Sequence, residues 1–206
     1  MSDLLLRQLV WADYRAAVVL TVTLPLVLFV WSALRQEGAI NRLLRIYWKI
    51  SSLLAVTVLL MAGGQRIAFL TATVAHLLIL LALWFWVDLN EELADMPLRR
   101  PLALTTRIWR WSLTFFALLG LLISGSALGC VMSADQPLLP SCTVWLEAPR
   151  RFSEGIGSVL GFLFGARWTS NSASLAGYVG LGAYGVGLLQ WMMVRLPRYG
   201  RLAGDF

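Results

Sequence analysis

Charge is scarce in this chain: Asp, Glu, Lys and Arg make up 14% of the 206 residues, hydrophobic residues make up 59%, and the mean hydropathy is +0.73. So little charge cannot cover the surface of a soluble domain of this length. The other scarcities exclude particular chemistries. There is one histidine, His76, and there are two cysteines, Cys130 and Cys142. No Walker A loop, HExxH, CxxC or paired Cys/His spacing occurs, so the common sequence signs of nucleotide, zinc-protease and structural-metal sites are missing. Basic residues exceed acidic ones by a net +6, but no Lys/Arg-rich block gathers them, so no nucleic-acid partner is expected. The N-terminal residues lack a positive n-region and a small-residue cleavage site, and no cleavable signal is expected.

What the chain has instead is long apolar runs, which a soluble helix would interrupt with a polar face. The expected fold is an all-α integral membrane protein, a single domain over 1–206, with about five transmembrane helices. They are placed at 16–34, 46–62, 67–87, 108–131 and 174–194. Residues 1–15, with Ser2 as N-cap, are expected to form a separate interfacial helix. Pro25 is expected to kink the first span, because proline lacks the amide donor and crowds the preceding turn. Gly38 reads as a helix breaker before the second span. Gly63-Gly64-Gln65-Arg66 allows only a tight turn, so the second and third spans should form an antiparallel hairpin. Asp88-Leu89-Asn90-Glu91 has capping-box spacing, which predicts a short helix from Asp88 that stops before Pro97.

Fourteen of the seventeen glycines lie from Gly120 onward. Gly125 and Gly129 have GxxxG spacing, which would bare one helix face for close packing. Residues 132–171, with Pro137, Pro140 and Pro149, read as the longest polar connection. Within it Gly157, Gly161 and Gly165 recur every fourth residue among apolar residues, on a piece too short to span. That piece reads as a packing, interfacial or re-entrant helix in the loop between the fourth and fifth spans.

Two sorts give one orientation. If 35–49, 99–110 and 195–201 face the cytoplasm, that side holds eleven of the seventeen basic residues. Trp31, Trp48, Trp84, Trp86, Trp109, Trp111 and Trp191 then fall on the same side, with Trp11, Trp145 and Trp168 opposite. The N-terminus would be lumenal or periplasmic and the C-terminus cytoplasmic. Cys130 and Cys142 would lie on the far side, in a compartment where a disulfide persists.

Three constellations are candidates for chemistry. His76, near the middle of the third span, is a candidate axial ligand to haem iron or chlorophyll magnesium, or a proton-relay residue; the plainer reading is an interhelical hydrogen bond. Asp88, Glu91, Glu92 and Asp95 follow helical spacing and would share a face, either docking a basic partner or holding a divalent cation; the plainer reading is a solvated helix. Trp84 and Trp86 abut that face, so Trp84, Trp86, Asp88, Glu91, Glu92 and Asp95 together form a candidate docking surface. No catalytic residue and no complete set of metal ligands emerges.

Through LVWADYR (9–15), WFWVDLNEEL (84–93) and VWLEAP (144–149), the chain resembles a family of cyanobacterial membrane proteins known only as a domain of unknown function, the 3177 family of that series. The resemblance implies a photosynthetic host, a thylakoid or plasma membrane, and neighbours that include photosynthetic complexes. It brings no activity and no catalytic residues. The expected function is a non-enzymatic accessory, assembly or structural subunit of a membrane complex, in contact with lipids and other membrane proteins. The alternatives are a small transporter or channel subunit using His76 and the fifth span, and a membrane-embedded lipid or isoprenoid enzyme using the acidic cluster.

Overall fold

The computed structural model describes residues 3–97, 99–132, 140–164 and 167–203. Ser2, Pro137 and Gly165 lie outside the described residues. Among the described residues every regular element is helical. Helix α1 (Asp3–Ala17) runs through a π-helical turn (Val18–Thr23) into α2 (Leu24–Leu34). Then come α3 (Gly38–Ala62), α4 (Ile67–Trp84), α5 (Val87–Asp95), α6 (Pro101–Ser126), α7 (Gly129–Met132), α8 (Pro140–Phe164) and α9 (Ser170–Gln190). A second π-helical turn (Trp191–Arg195) leads into α10 (Leu196–Tyr199). Five helical stretches are long and apolar enough to cross a membrane: Arg7–Leu34, Gly38–Ala62, Ile67–Trp84, Pro101–Ser126 and Ser170–Arg198. This is an all-α membrane protein.

Four of the five membrane-length helices begin earlier than the apolar runs do, because backbone continuity needs no apolar side chain. The segment 1–15 is not a separate interfacial helix, since α1 continues into the first span without a break. Gly38 opens α3 instead of breaking a helix. Pro101 occupies the first position of α6, where its missing N–H costs nothing.

Pro25 produces a π-helical turn. Leu24 N–H donates to Val19 O, five residues back. The next donor in that register would be Pro25, which has none. Trp109 Nε1–H donates to Leu20 O at 2.9 Å, and the Tyr47 hydroxyl donates to Thr21 O at 2.8 Å. Two side chains thus serve the carbonyls that the proline would leave unmet. Both are almost fully buried and meet edge to face at 5.2 Å. The second π-helical turn has the same relation to Pro197, with Leu196 N–H donating to Trp191 O.

The α3–α4 connection is the expected tight turn. Gly64 has φ +72°, a conformation that glycine adopts without strain. Its N–H donates to Met61 O, and Gln65 N–H donates to Leu60 O, both at 2.9 Å, which closes α3 with a Schellman motif.

The polar connection expected over 132–171 is mostly helix. Helix α8 has 25 residues and contains Pro149 in its interior. It is long enough to span but carries Glu147, Arg150, Arg151 and Glu154, and it is not among the membrane-length apolar helices.

The residues divide into two compact units. The first comprises Met1–Tyr14, Leu53–Val74 and Leu121–Gly185. Its core joins Leu60, Phe69, Ala72, Ala127, Cys130 and Leu146. Cys130 and Cys142 are disulfide-bonded across 6.0 Å between Cα atoms, which ties α7 to α8. Gly177 and Gly180 let α9 approach the Leu60 and Val56 side chains of α3, at 2.8 and 3.0 Å from where a Cβ would be. The expected GxxxG face is not formed: α6 ends at Ser126, Gly129 belongs to α7, and a Cβ at Gly125 or Gly129 would meet nothing within 4 Å. Gly157 packs on the Trp168 side chain, whereas Gly161 is exposed.

The second unit comprises Arg15–Ser52, Ala75–Gly120 and Val186–Phe206. Its buried side chains include Leu28, Ile40, Leu43, Leu44, Tyr47, Ile79, Leu83 and Trp109. The seven tryptophans and eleven basic residues assigned above to one side all fall in this unit.

Candidate functional site around Arg110

Within the second unit, the end of α4, all of α5 and the start of α6 converge. Trp84 closes α4, and Trp86 is extended (φ −87°, ψ 111°), so the chain turns sharply into α5. Asn90 holds this corner by donating from Nδ2 to Trp84 O at 3.0 Å. Trp84 Nε1–H donates to Thr114 Oγ1 at 2.9 Å, which fixes its indole against α6.

Arg110 fills the space so defined and is only 7% exposed. Its guanidinium carbon lies 3.9 Å from the centroid of the Trp84 ring, a cation–π contact. One terminal nitrogen donates to Leu83 O and Asn90 Oδ1, and Nε is buried with no hydrogen-bond partner. One turn earlier, Arg107 donates to Leu93 O and Ala94 O, each at 3.3 Å, at the carbonyl end of α5. The two arginines line a recess of about 310 Å³, with Trp84, Asn90, Thr106 and Trp111 in its wall. A buried cation without a carboxylate costs several kcal/mol unless neutral dipoles and a π face compensate, and those are what surround Arg110.

Several residues of the expected docking surface make contacts within the chain. Trp86 is 3% exposed and meets Trp191 edge-on at 5.9 Å. Asp88 is not the N-cap of α5, because the helix starts at Val87 and Trp86 takes the cap position. The Asp88 carboxylate accepts the Ala203 N–H at 2.9 and 3.0 Å. Val87 N–H donates to Arg201 O, so the C-terminal segment is laid against the start of α5. Glu92 pairs with Arg42 of α3, at 2.6 Å. Trp84 and Asp88 are half-buried, and Glu91, Glu92 and Asp95 of the six residues are exposed. Among the described residues no group of three His, Cys, Asp or Glu side chains is placed to hold a metal ion.

His76 is 8% exposed, with its ring 6.1 Å from that of Phe116. Its Nε2 edge lies over Gly120 so closely that a Cβ there would overlap it. Helix α6 therefore packs directly against the His76 ring. The residues that sequence reasoning passed over are Arg107, Arg110, Asn90 and Thr114. The signal for Arg110 was present, since an arginine inside a predicted span is expensive and calls for a partner.

A family model described as "Protein of unknown function (DUF3177)" matches residues 7–204. No curated protein and no solved structure matches the chain.

Proposed function

We propose that this protein, a member of the family described as protein of unknown function (DUF3177) whose model matches residues 7–204, is a non-enzymatic accessory, assembly or structural subunit of a membrane complex. The observation that carries this reading is the state of the last span. Only 11% of its most apolar window is buried within the chain, against 44–50% for the helices Gly38–Ala62, Ile67–Trp84 and Pro101–Ser126. Gly177 and Gly180 are filled by neighbours in the chain, but Gly182, Gly185 and Gly187 meet nothing within 4 Å. Lipid tails gain nothing from bare glycine, which costs helix propensity, whereas a partner helix can approach closely there.

The partner is another membrane protein, and the family resemblance favours a pigment-bearing photosynthetic complex in a thylakoid or plasma membrane. The N-terminus is lumenal or periplasmic and the C-terminus cytoplasmic, supported by the basic-residue bias. Purification of the tagged protein in mild detergent, with identification of co-migrating proteins and an absorption spectrum, tests the reading; a monodisperse protein with no stoichiometric partner overturns it. Cysteine labels at exposed Gln8 and Arg198 test the orientation, and reaction of both from one face refutes it.

A further inference from the structure

The recess beside Arg110 holds positive charge that no carboxylate among the described residues neutralises. Arg110 has neutral acceptors at Leu83 O and Asn90 Oδ1, and its buried Nε–H is left over. Arg107 has only two backbone carbonyls, each at 3.3 Å. Arg7 pairs with Glu147, Arg42 with Glu92 and Arg100 with Glu37, whereas neither lining arginine pairs with a carboxylate among the described residues. Two acidic side chains of α5 have partners elsewhere: Glu92 pairs with Arg42 and Asp88 accepts the Ala203 N–H. Asp95 and Glu91 are exposed and do not line the recess.

Forked guanidinium donors match the oxygens of a phosphate group, and two of them side by side suit its multiple oxygens and charge. The volume, about 310 Å³, holds such a group with a small substituent. Leu104 and Ile108, both exposed on α6, continue an apolar strip from the same stretch of helix. We propose that this recess binds a phosphate-class anion between Arg107 and Arg110, carried either by a membrane lipid headgroup or by a free phosphate ester.

The test uses the full-length protein in a neutral detergent. Native mass spectrometry counts lipid adducts after incubation with micelles containing phosphatidylglycerol or phosphatidylcholine, and thermal unfolding is followed with glycerol 3-phosphate or inorganic phosphate. Retention of phosphatidylglycerol over phosphatidylcholine by about tenfold is expected if charge-assisted bonds hold the phosphate. Arg107→Gln, and separately Ala103→Phe, which fills the recess while leaving both arginines, should each remove most of that preference. Arg99→Gln, at an exposed position, should not. Arg110→Gln is avoided because its loss endangers the fold. Lipid preference without protection by the soluble phosphates assigns a headgroup; protection by glycerol 3-phosphate that is lost in both recess variants assigns a free ester. Equal retention of the two lipids with no protection by phosphate overturns the proposal, as does a preference that both recess variants leave unchanged.

Discussion

A side chain at position 120 would have to share space with the His76 imidazole, and that conflict says what the only histidine is doing. Gly120 is buried, and its missing Cβ is what lets α6 pass over the ring. Overpacking of this kind costs about 1–3 kcal/mol. Gly120→Ala should therefore lower the thermal unfolding midpoint in detergent, and His76→Ala in the same chain should recover part of the loss. If Gly120→Ala is as stable as the parent, the ring is not packed as described. A second outcome follows for pigment binding. His76→Leu should leave the absorption spectrum of the purified protein unchanged, and loss of a Soret or chlorophyll band would show that the ring serves as a ligand.

At the scale of single elements, Pro25 is the more informative residue. It removes one donor, the helix responds with a π-helical turn, and Trp109 and Tyr47 reach across to the carbonyls at Leu20 and Thr21. Trp109→Phe should cost about 1–3 kcal/mol, since it leaves a buried carbonyl unmet. In a Pro25→Ala background the restored amide can serve that carbonyl, so the same substitution should cost less. A double-mutant cycle in detergent measures the difference, expected at about 1 kcal/mol, and additive effects would dissociate the tryptophan from the proline. Neither partner was legible in sequence: an irregularity at Pro25 was, because it depends on that residue alone, whereas Trp109 lies 84 residues away along the chain. The short α3–α4 turn and the end of α5 before Pro97 were legible because local residues decide them. Helix α8 was not, since the prolines at 137, 140 and 149 read as a polar connection. Pro140 instead opens the helix, and Pro149 costs only one interior donor. Leu146 and Ala148 are buried beside it, and the Cys130–Cys142 bond anchors its first turn. Chain-entropy arguments for a closed loop of this size give about 3 kcal/mol. Reduction should therefore lower the stability of the protein by about that amount or somewhat less, and intact mass before reduction should show no alkylated thiol. Two reactive thiols in the unreduced protein would remove this anchor from the account.

For the molecule as a whole, the question is whether α9 is finished by its own chain or by another. The glycines divide it into two stretches that sequence spacing alone does not separate. Gly177 and Gly180 face Leu60 and Val56, so they belong to the packing of this chain. Gly182 and Gly185 have open space, in a helix whose Leu175, Val179 and Val186 are also largely exposed. Exposed leucine and valine are what lipid requires; exposed glycine is what an approaching helix requires. The two stretches should respond oppositely to the same substitution. Gly177→Leu should lower stability by about 1–3 kcal/mol through overpacking against Leu60, whatever the protein binds. Gly182→Leu and Gly185→Leu should leave stability unchanged or raise it slightly, because leucine is the better helix former. If another membrane protein seats on α9, these two variants should insert and fold normally yet lose the co-purifying partner in mild detergent. Retention of the partner by both would move the interface elsewhere. A fall in stability equal to that of Gly177→Leu would mean that this stretch too is packed within the chain, and the reading of the protein as a subunit would lose its main support.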